Sequence, residues 1–334
     1  MDMHENRPAG DLTDRPSGER RHHQAFSWGV TAVVFLLIVA FLVSERDLAA
    51  TFRRMNPVVL LWLFLVQCMF NVVSGLVLKE TARFVGVRLS VKEWFGLPAV
   101  TTMGNYLTPA SGGLMARAVY LHRRHGLSYP QFLGILSSGY LVNYLVIAVT
   151  GILVVLAGHA AHPQAWPLTL FFLTVIGCIV FLLHRPAPLP AKGGRVCRFL
   201  RDISDGWPRI RHHRGLLGKL FVLSGINVIL GGLSLWISYR AIGNPVSGMD
   251  ALLVALLQSF SLLFTVTPAN LGVQEAVVGL ASGILGLGLA AGLMAALLVR
   301  TATVVFIVIF GPLFSYLLTR EVNRSGERKR GNTP

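Results

Sequence analysis

Acid is what this chain holds least of. Its 334 residues carry 15 Asp and Glu against 30 Lys and Arg, and charged residues together make up only 13%. A soluble domain carries about 25% charged residues, so a soluble globular fold is excluded. Cysteine is scarce too. Cys68 and Cys178 lie in apolar runs and Cys197 in a basic loop, too scattered to form a framework; neither a disulfide nor a metal is expected. The His122…His125 and His159…His162 spacings lack a third ligand on a common face. No Gly-rich phosphate loop with its lysine occurs, so there is no sign of an ATP motor and no cofactor is expected. Ser111 and the other serines have no His–Asp company in the apolar runs, so no catalytic triad is supported and no enzyme is expected. The net charge of +15 does not imply nucleic acid, because no recognisable nucleic-acid module is present. Basic residues gathering on the inner face of a membrane account for it, with anionic lipid headgroups as the natural partner.

What the chain has in quantity is apolar sequence, 53% of all residues. Several runs approach or exceed the roughly 20 residues that cross a hydrocarbon layer, and none alternates with period two as a β-barrel strand would. The fold class expected is an all-α polytopic membrane protein. Residues 1–27 read as a disordered cytoplasmic head and not a secretory signal. Residues 28–318 form one membrane domain, and 319–334 a basic cytoplasmic tail. About six full spans are expected, at Trp28–Val43, Pro57–Leu78, Gln131–Ala157, Leu168–His184, Leu216–Arg240 and Leu289–Leu318. Glu80 and Arg83 are expected to pair at the inner end of a span, and Asp250 to cap the helix starting at Ala251.

Orientation follows from the basic residues. With both termini on the cytoplasmic side of the cell inner (cytoplasmic) membrane, all Lys and Arg fall on the inner side except Arg46, Arg53, Arg54, Arg240 and Arg300. The 185–219 loop is the most basic, and the 158–167 and 241–249 loops hold no Lys or Arg.

Two apolar stretches are interrupted in the same way, by Thr108-Pro109-Ala110-Ser111-Gly112-Gly113 and by Thr267-Pro268-Ala269-Asn270-Leu271-Gly272. Four residues coincide at a constant offset of 159: Thr108, Pro109, Ala110 and Gly113 fall on Thr267, Pro268, Ala269 and Gly272. The same offset relates the flanking spans, giving two span–hairpin–span units, about 57–157 and 216–318. Helix 168–184 and the basic loop 185–215 link them. The single linking helix inverts the second unit, so the two broken helical hairpins would re-enter from opposite sides. Inverted repeats with discontinuous helices are characteristic of secondary transporters.

Proline removes an N–H and pushes the preceding residue out of helical geometry, glycine permits sharp turning, and a restarted helix offers free N–H groups to an anion. The same features also suit a plain helix–helix turn. Charge sharpens the choice, since an ionisable group at the bilayer centre costs about 2.5–3.5 kcal/mol. Arg117 follows the first break, Glu275 follows the second, and Arg300 lies deep in the last span. In one reading Arg117 and Arg300 hold a phosphate or other anion and Glu275 balances them or reads a cationic group. In the other, Glu275 and Arg300 form a structural ion pair and Arg117 snorkels to the interface. Candidate binding residues are Arg117, Glu275, Arg300, Asn105, Thr108, Pro109, Gly113, Thr267, Pro268, Asn270 and Gly272. Asn71, Tyr106, Asn143, Tyr144 and Gln258 are weaker, because each type commonly makes interhelical hydrogen bonds.

The run Thr267-Pro268-Ala269-Asn270-Leu271-Gly272-Val273-Gln274-Glu275, followed by a helix carrying Arg300, resembles the lysylphosphatidylglycerol synthase transmembrane region family. Asn105-Tyr106-Leu107-Thr108-Pro109…Gly113…Arg117 is similar to that family's first motif. The resemblance spans about 28–318. Where the family often has an acidic residue after the glycine, Leu114 follows Gly113 here, so no carboxylate role is expected at the first break. The resemblance implies a flippase-like membrane domain that binds and translocates an anionic or aminoacylated (glyco)lipid. The family's soluble synthase domain has no counterpart here, so lysyl transfer is not expected. The alternative is a non-transporting adaptor of a lipid, hopanoid or polyprenyl-glycan pathway, holding a lipid-biosynthetic enzyme through the basic loop.

Overall fold

The computed structural model describes residues 56–108, 112–158, 165–184, 213–263 and 267–331. The expected first span, the basic 185–212 loop and Pro109 lie outside these. Every regular element among them is helical: α1 (Pro57–Phe84), α2 (Val91–Leu107), α3 (Gly112–His125), α4 (Tyr129–Gly158), α5 (Ala165–His184), α6 (Arg214–Ala241), α7 (Gly248–Ser259), α8 (Val273–Ile284) and α9 (Leu289–Gly331). Short 3₁₀ turns at Phe260–Leu263 and Pro268–Asn270 join α7 to α8. The chain is an all-α multi-pass membrane protein. Four helices are long and apolar enough to cross a bilayer, α1, α4, α6 and the 289–321 part of α9, with mean hydropathies of 2.1, 2.4, 2.0 and 2.5. The apolar stretch of α5, Trp166–Phe181, falls short of that length.

Local sequence explains where the helices start. Asn56 caps α1, its side chain accepting from Val58 N at 2.9 Å, and Pro57 occupies the first turn, where no N–H is needed. Ser90 and Glu93 form a capping box on α2. Ser247, not Asp250, caps α7: its hydroxyl oxygen accepts from Asp250 N, and Asp250 lies inside the first turn. Glu80 likewise pairs not with Arg83 but with Lys219 across the helices, at 2.7 Å.

Four helix ends meet at one side of the bundle. Lys219 at the start of α6 reaches Glu80 near the end of α1, so these two helices run antiparallel. Glu93 at the start of α2 accepts from Tyr120 (2.9 Å) and contacts His125 (2.8 Å) near the end of α3. At the opposite side, Asn244 donates to Leu287 O at 2.8 Å, bringing the start of α7 near the end of α8. Thus α2–α3 and α7–α8 are two hairpins whose open ends lie on opposite sides. The starts of α6, α7, α8 and α9 fall within two residues of the 159-residue offset from α1, α2, α3 and α4.

The surface is apolar, and the largely apolar interior holds a number of buried polar side chains. Leu61, Trp62, Met69, Leu153, Phe181 and Val222 are exposed, whereas Asn71, Ser138, Ser238, Asn270, Glu275 and Ser282 are buried. Apolar burial gives little drive between helices in lipid, so close packing and interhelical hydrogen bonds take over. Asn71 Nδ2 ties α1 to the Phe95 carbonyl of α2 at 2.9 Å, and Thr303 donates to Gln67 at 3.1 Å. Pro98 cannot offer an N–H to the Trp94 carbonyl, and that carbonyl abuts Gly75, where a Cβ would overlap it.

The Glu93 cluster closes the open end of the first hairpin, outside the four spanning helices. Burial alone would raise its carboxyl pKa. Hydrogen bonds from His125, the Ser90 N–H and Tyr120, together with the charge of His125, override burial and hold it at about 2. The sign follows from linkage: a carboxyl held below its ordinary value of 4.5 adds stability above that pH and loses it as pH falls toward 2. Purified protein should therefore melt progressively earlier between about pH 4.5 and pH 3. Glu93→Gln should be less stable by about 1–3 kcal/mol at pH 7 and show a shallower acid dependence, read by thermal melting across a pH series.

Candidate functional site

Both interruptions are real breaks in helical geometry. Thr108 and Thr267, each preceding a proline, are extended, with φ, ψ of −133°, 139° and −101°, 158°. Past Pro268 the chain enters the left-handed region at Ala269 (φ 49°) and Asn270 (φ 57°), then turns through Gly272 (φ 84°) into α8. Asn270 tolerates this conformation and is anchored, its Nδ2 donating to Ser261 O at 2.6 Å. On the first hairpin Gly113 lies so close to α2 that a Cβ would overlap the Thr101 carbonyl oxygen. Its N–H donates to Asn105 Oδ1 at 3.1 Å.

Arg300 joins the two breaks. Its Nε is ion-paired to Glu275 Oε1. Nη1 donates to Tyr106 Oη on α2 at 3.1 Å and to Ala269 O in the second break at 3.3 Å. Nη2 donates to Gln274 Oε1 at 3.1 Å. The guanidinium also lies over the Tyr106 ring, 5.5 Å from its centroid. A guanidinium has five N–H donors, so little capacity remains for a ligand. Glu275 is equally committed: its other oxygen accepts from Gly272 N at 2.7 Å, completing the cap of α8, and the side chain is 2% exposed. This pair is the structural alternative read from the sequence.

Around the pair lies a cavity of about 220 Å³, lined from both hairpins and α9. Asn105, Thr267, Asn270, Glu275 and Arg300 of the expected site residues line it, joined by Tyr106 and Gln258. Thr108 is exposed and donates to Gly104 O at 2.6 Å; Gly113, Pro268 and Gly272 shape the breaks without lining the cavity.

Arg117 is elsewhere. It lines a second, larger cavity of about 390 Å³ between α1, α3, α4, α6 and α7, with Phe132 6.0 Å below its guanidinium. Its Nε is buried without a hydrogen-bond partner, as is Asn227 Oδ1 on the same cavity. Asn143 and Tyr140 line this cavity too, and Tyr144 lines neither, contacting Ser259 O at 3.5 Å. Gln258, Leu262 and Gln274 line both cavities, so the two adjoin. The structure does not bring Arg117 and Arg300 into one pocket: Arg117 lies over Phe132 of α4 in the larger cavity, whereas Arg300 pairs with Glu275 beside the smaller one.

Sequence reasoning passed over Gln274, which holds Arg300 and lies at the junction of the cavities, and Asn227 and Tyr140. The signal for Gln274 was its place beside Glu275 at the start of a restarted helix. Asn227 and Tyr140 carried none beyond polarity within an apolar run. Among the described residues no group of three His, Cys, Asp or Glu could hold a metal ion.

No curated protein matches the chain. A family model described as the lysylphosphatidylglycerol synthase TM region matches residues 28–311. That stretch contains both breaks, both cavities, Arg117, Glu275 and Arg300, and the chain belongs to the lysylphosphatidylglycerol synthase TM region family.

Proposed function

We propose that this protein is a lipid carrier of the cytoplasmic membrane, passing an anionic headgroup between leaflets through the two adjoining cavities while the acyl tails stay in the bilayer. The observation that carries this reading is the pair of adjoining cavities inside an apolar bundle, each with polar side chains in its wall and one of them holding an arginine whose Nε has no hydrogen-bond partner. Irregular backbone is tolerated at membrane depth where it is buried in protein or lines a wet cavity, and the second break fits that rule. In this reading α2–α3 and α7–α8 are re-entrant, one from each side. Arg117 receives the headgroup anion in the larger cavity. Arg300 and Glu275 hold the two breaks together around the smaller one, and Gln258 and Gln274 mark the passage. The basic side of the bundle is cytoplasmic.

The test is translocation of fluorescent phosphatidylglycerol in proteoliposomes, read by quenching of the outer leaflet. Arg117→Gln removes a charge-assisted contact worth about 1.5–3 kcal/mol, so the initial rate should fall at least about tenfold. Its melting temperature should be unchanged or higher, because a buried cation is lost. Unchanged movement in a folded Arg117→Gln variant would remove the carrier reading. An adaptor working through the basic loop would be indifferent to this substitution.

A further inference from the structure

We infer that the larger cavity is selective for lipids whose headgroup is a phosphodiester bearing neutral hydroxyls, and rejects the same lipids once an amino acid has been esterified to them; this rests on the carrier reading above. The argument is the inventory of the wall. Among the described residues Arg117 is the one charged residue lining the cavity, and its buried Nε needs an acceptor. Asn227 Oδ1, also buried and unbonded, needs a donor. A phosphate oxygen supplies the first and a hydroxyl the second. The remaining polar lining is uncharged and includes Ser74, Tyr140, Asn143 and Gln258, which suits a polyol. The volume of about 390 Å³ is in the range of small-ligand sites.

An ammonium group finds buried, unbonded amide oxygens, Asn227 Oδ1 on this cavity and Asn270 Oδ1 on the adjoining one, but among the described residues lining them no carboxylate free of an ion pair. Among the described residues no Asp or Glu lines the larger cavity. The one carboxylate on the smaller cavity among the described residues, Glu275, has one oxygen on Arg300 and the other on the Gly272 N–H. A cationic headgroup would lie beside Arg117 with no counter-charge, and one neutral amide oxygen does not offset a buried full charge. Aminoacylation also cancels the lipid's net negative charge, and lysylation reverses it, which removes the attraction that draws it in.

The full chain in phosphatidylcholine nanodiscs, loaded with fluorescent phosphatidylglycerol, gives the test by competition. Phosphatidylglycerol should displace the probe at no more than about a tenth of the concentration that lysyl-phosphatidylglycerol requires. Asn227→Leu should weaken phosphatidylglycerol about fivefold or more while leaving phosphatidic acid, which has the phosphate but no hydroxyls, unchanged. Arg117→Gln should weaken both alike. The inference is overturned if lysyl-phosphatidylglycerol competes as well as or better than phosphatidylglycerol, if Asn227→Leu weakens both anionic lipids equally, or if the probe does not bind. Free glycerol phosphate competing as strongly as the lipid would overturn the lipid assignment. Selective binding without any translocation in proteoliposomes would uphold this selectivity and remove the carrier reading, so the two fail separately.

Discussion

Glu275→Gln should lower stability by about 3–5 kcal/mol, the largest loss expected from a single side chain in this protein. The substitution is nearly isosteric, and glutamine can still accept from the Gly272 N–H, so the cap of α8 survives. What is lost is the only counter-charge of Arg300 among the described residues, and the Arg300 side chain is 11% exposed. Breaking a buried pair by removing one partner leaves the other charge stranded. Replacing both removes the charge altogether, so Glu275→Gln/Arg300→Gln should recover part of the loss. The double variant will not recover fully, since Arg300 also holds Tyr106, Ala269 and Gln274. Thermal melting of the two single variants and the double variant forms the cycle. Additive losses would mean that the pair does not act as a unit.

Gly113→Ala should be nearly as damaging. The added methyl would overlap the Thr101 carbonyl oxygen and approach Asn105 N to 2.8 Å, and both are backbone atoms of α2 that cannot rotate away. The hairpin must part, stretching the 3.1 Å bond from Gly113 N to Asn105 Oδ1. Overpacking typically costs about 1–3 kcal/mol, and the rigid backbone neighbours place this site at or above the upper end. Gly139→Ala is the control: nothing lies within 4 Å of its missing Cβ, so removing a helical glycine there should stabilise by up to about 1 kcal/mol. If the two alanine variants melt alike, the close approach of α2 and α3 does not hold the hairpin.

The breaks were legible because proline and glycine act through backbone geometry, which needs no knowledge of neighbours. Thr108 and Thr267 could be placed before seeing the fold for that reason. The Glu275–Arg300 pair was legible because two charges buried deep in lipid must find each other. Side-chain direction was not. Arg117 and Glu275 follow their prolines at similar distances, yet one enters the cavity beside Phe132 and the other meets α9. That outcome depends on which neighbour each short helix leans against, a tertiary matter. Glu93 was missed although Ser90-x-x-Glu93 is a readable capping signal. Its contacts to Tyr120 and His125 come from the other arm of the hairpin and leave no local trace. Ser247-x-x-Asp250 is the same pattern, read one residue class too simply when the acid was taken as the cap.

The carrier account is tested most directly by plugging the cavity without touching a polar group. Gly139 lines the larger cavity on α4 and its Cβ direction is open space. Gly139→Trp would put an indole into that space and replace a helical glycine, so the protein should fold at least as well as before. The measurement is the initial rate of fluorescent phosphatidylglycerol translocation in proteoliposomes, with melting temperature as the check on folding. The account predicts that the rate falls to the level of protein-free vesicles while the melting temperature holds or rises. Translocation at the unmodified rate by a folded Gly139→Trp variant would contradict it.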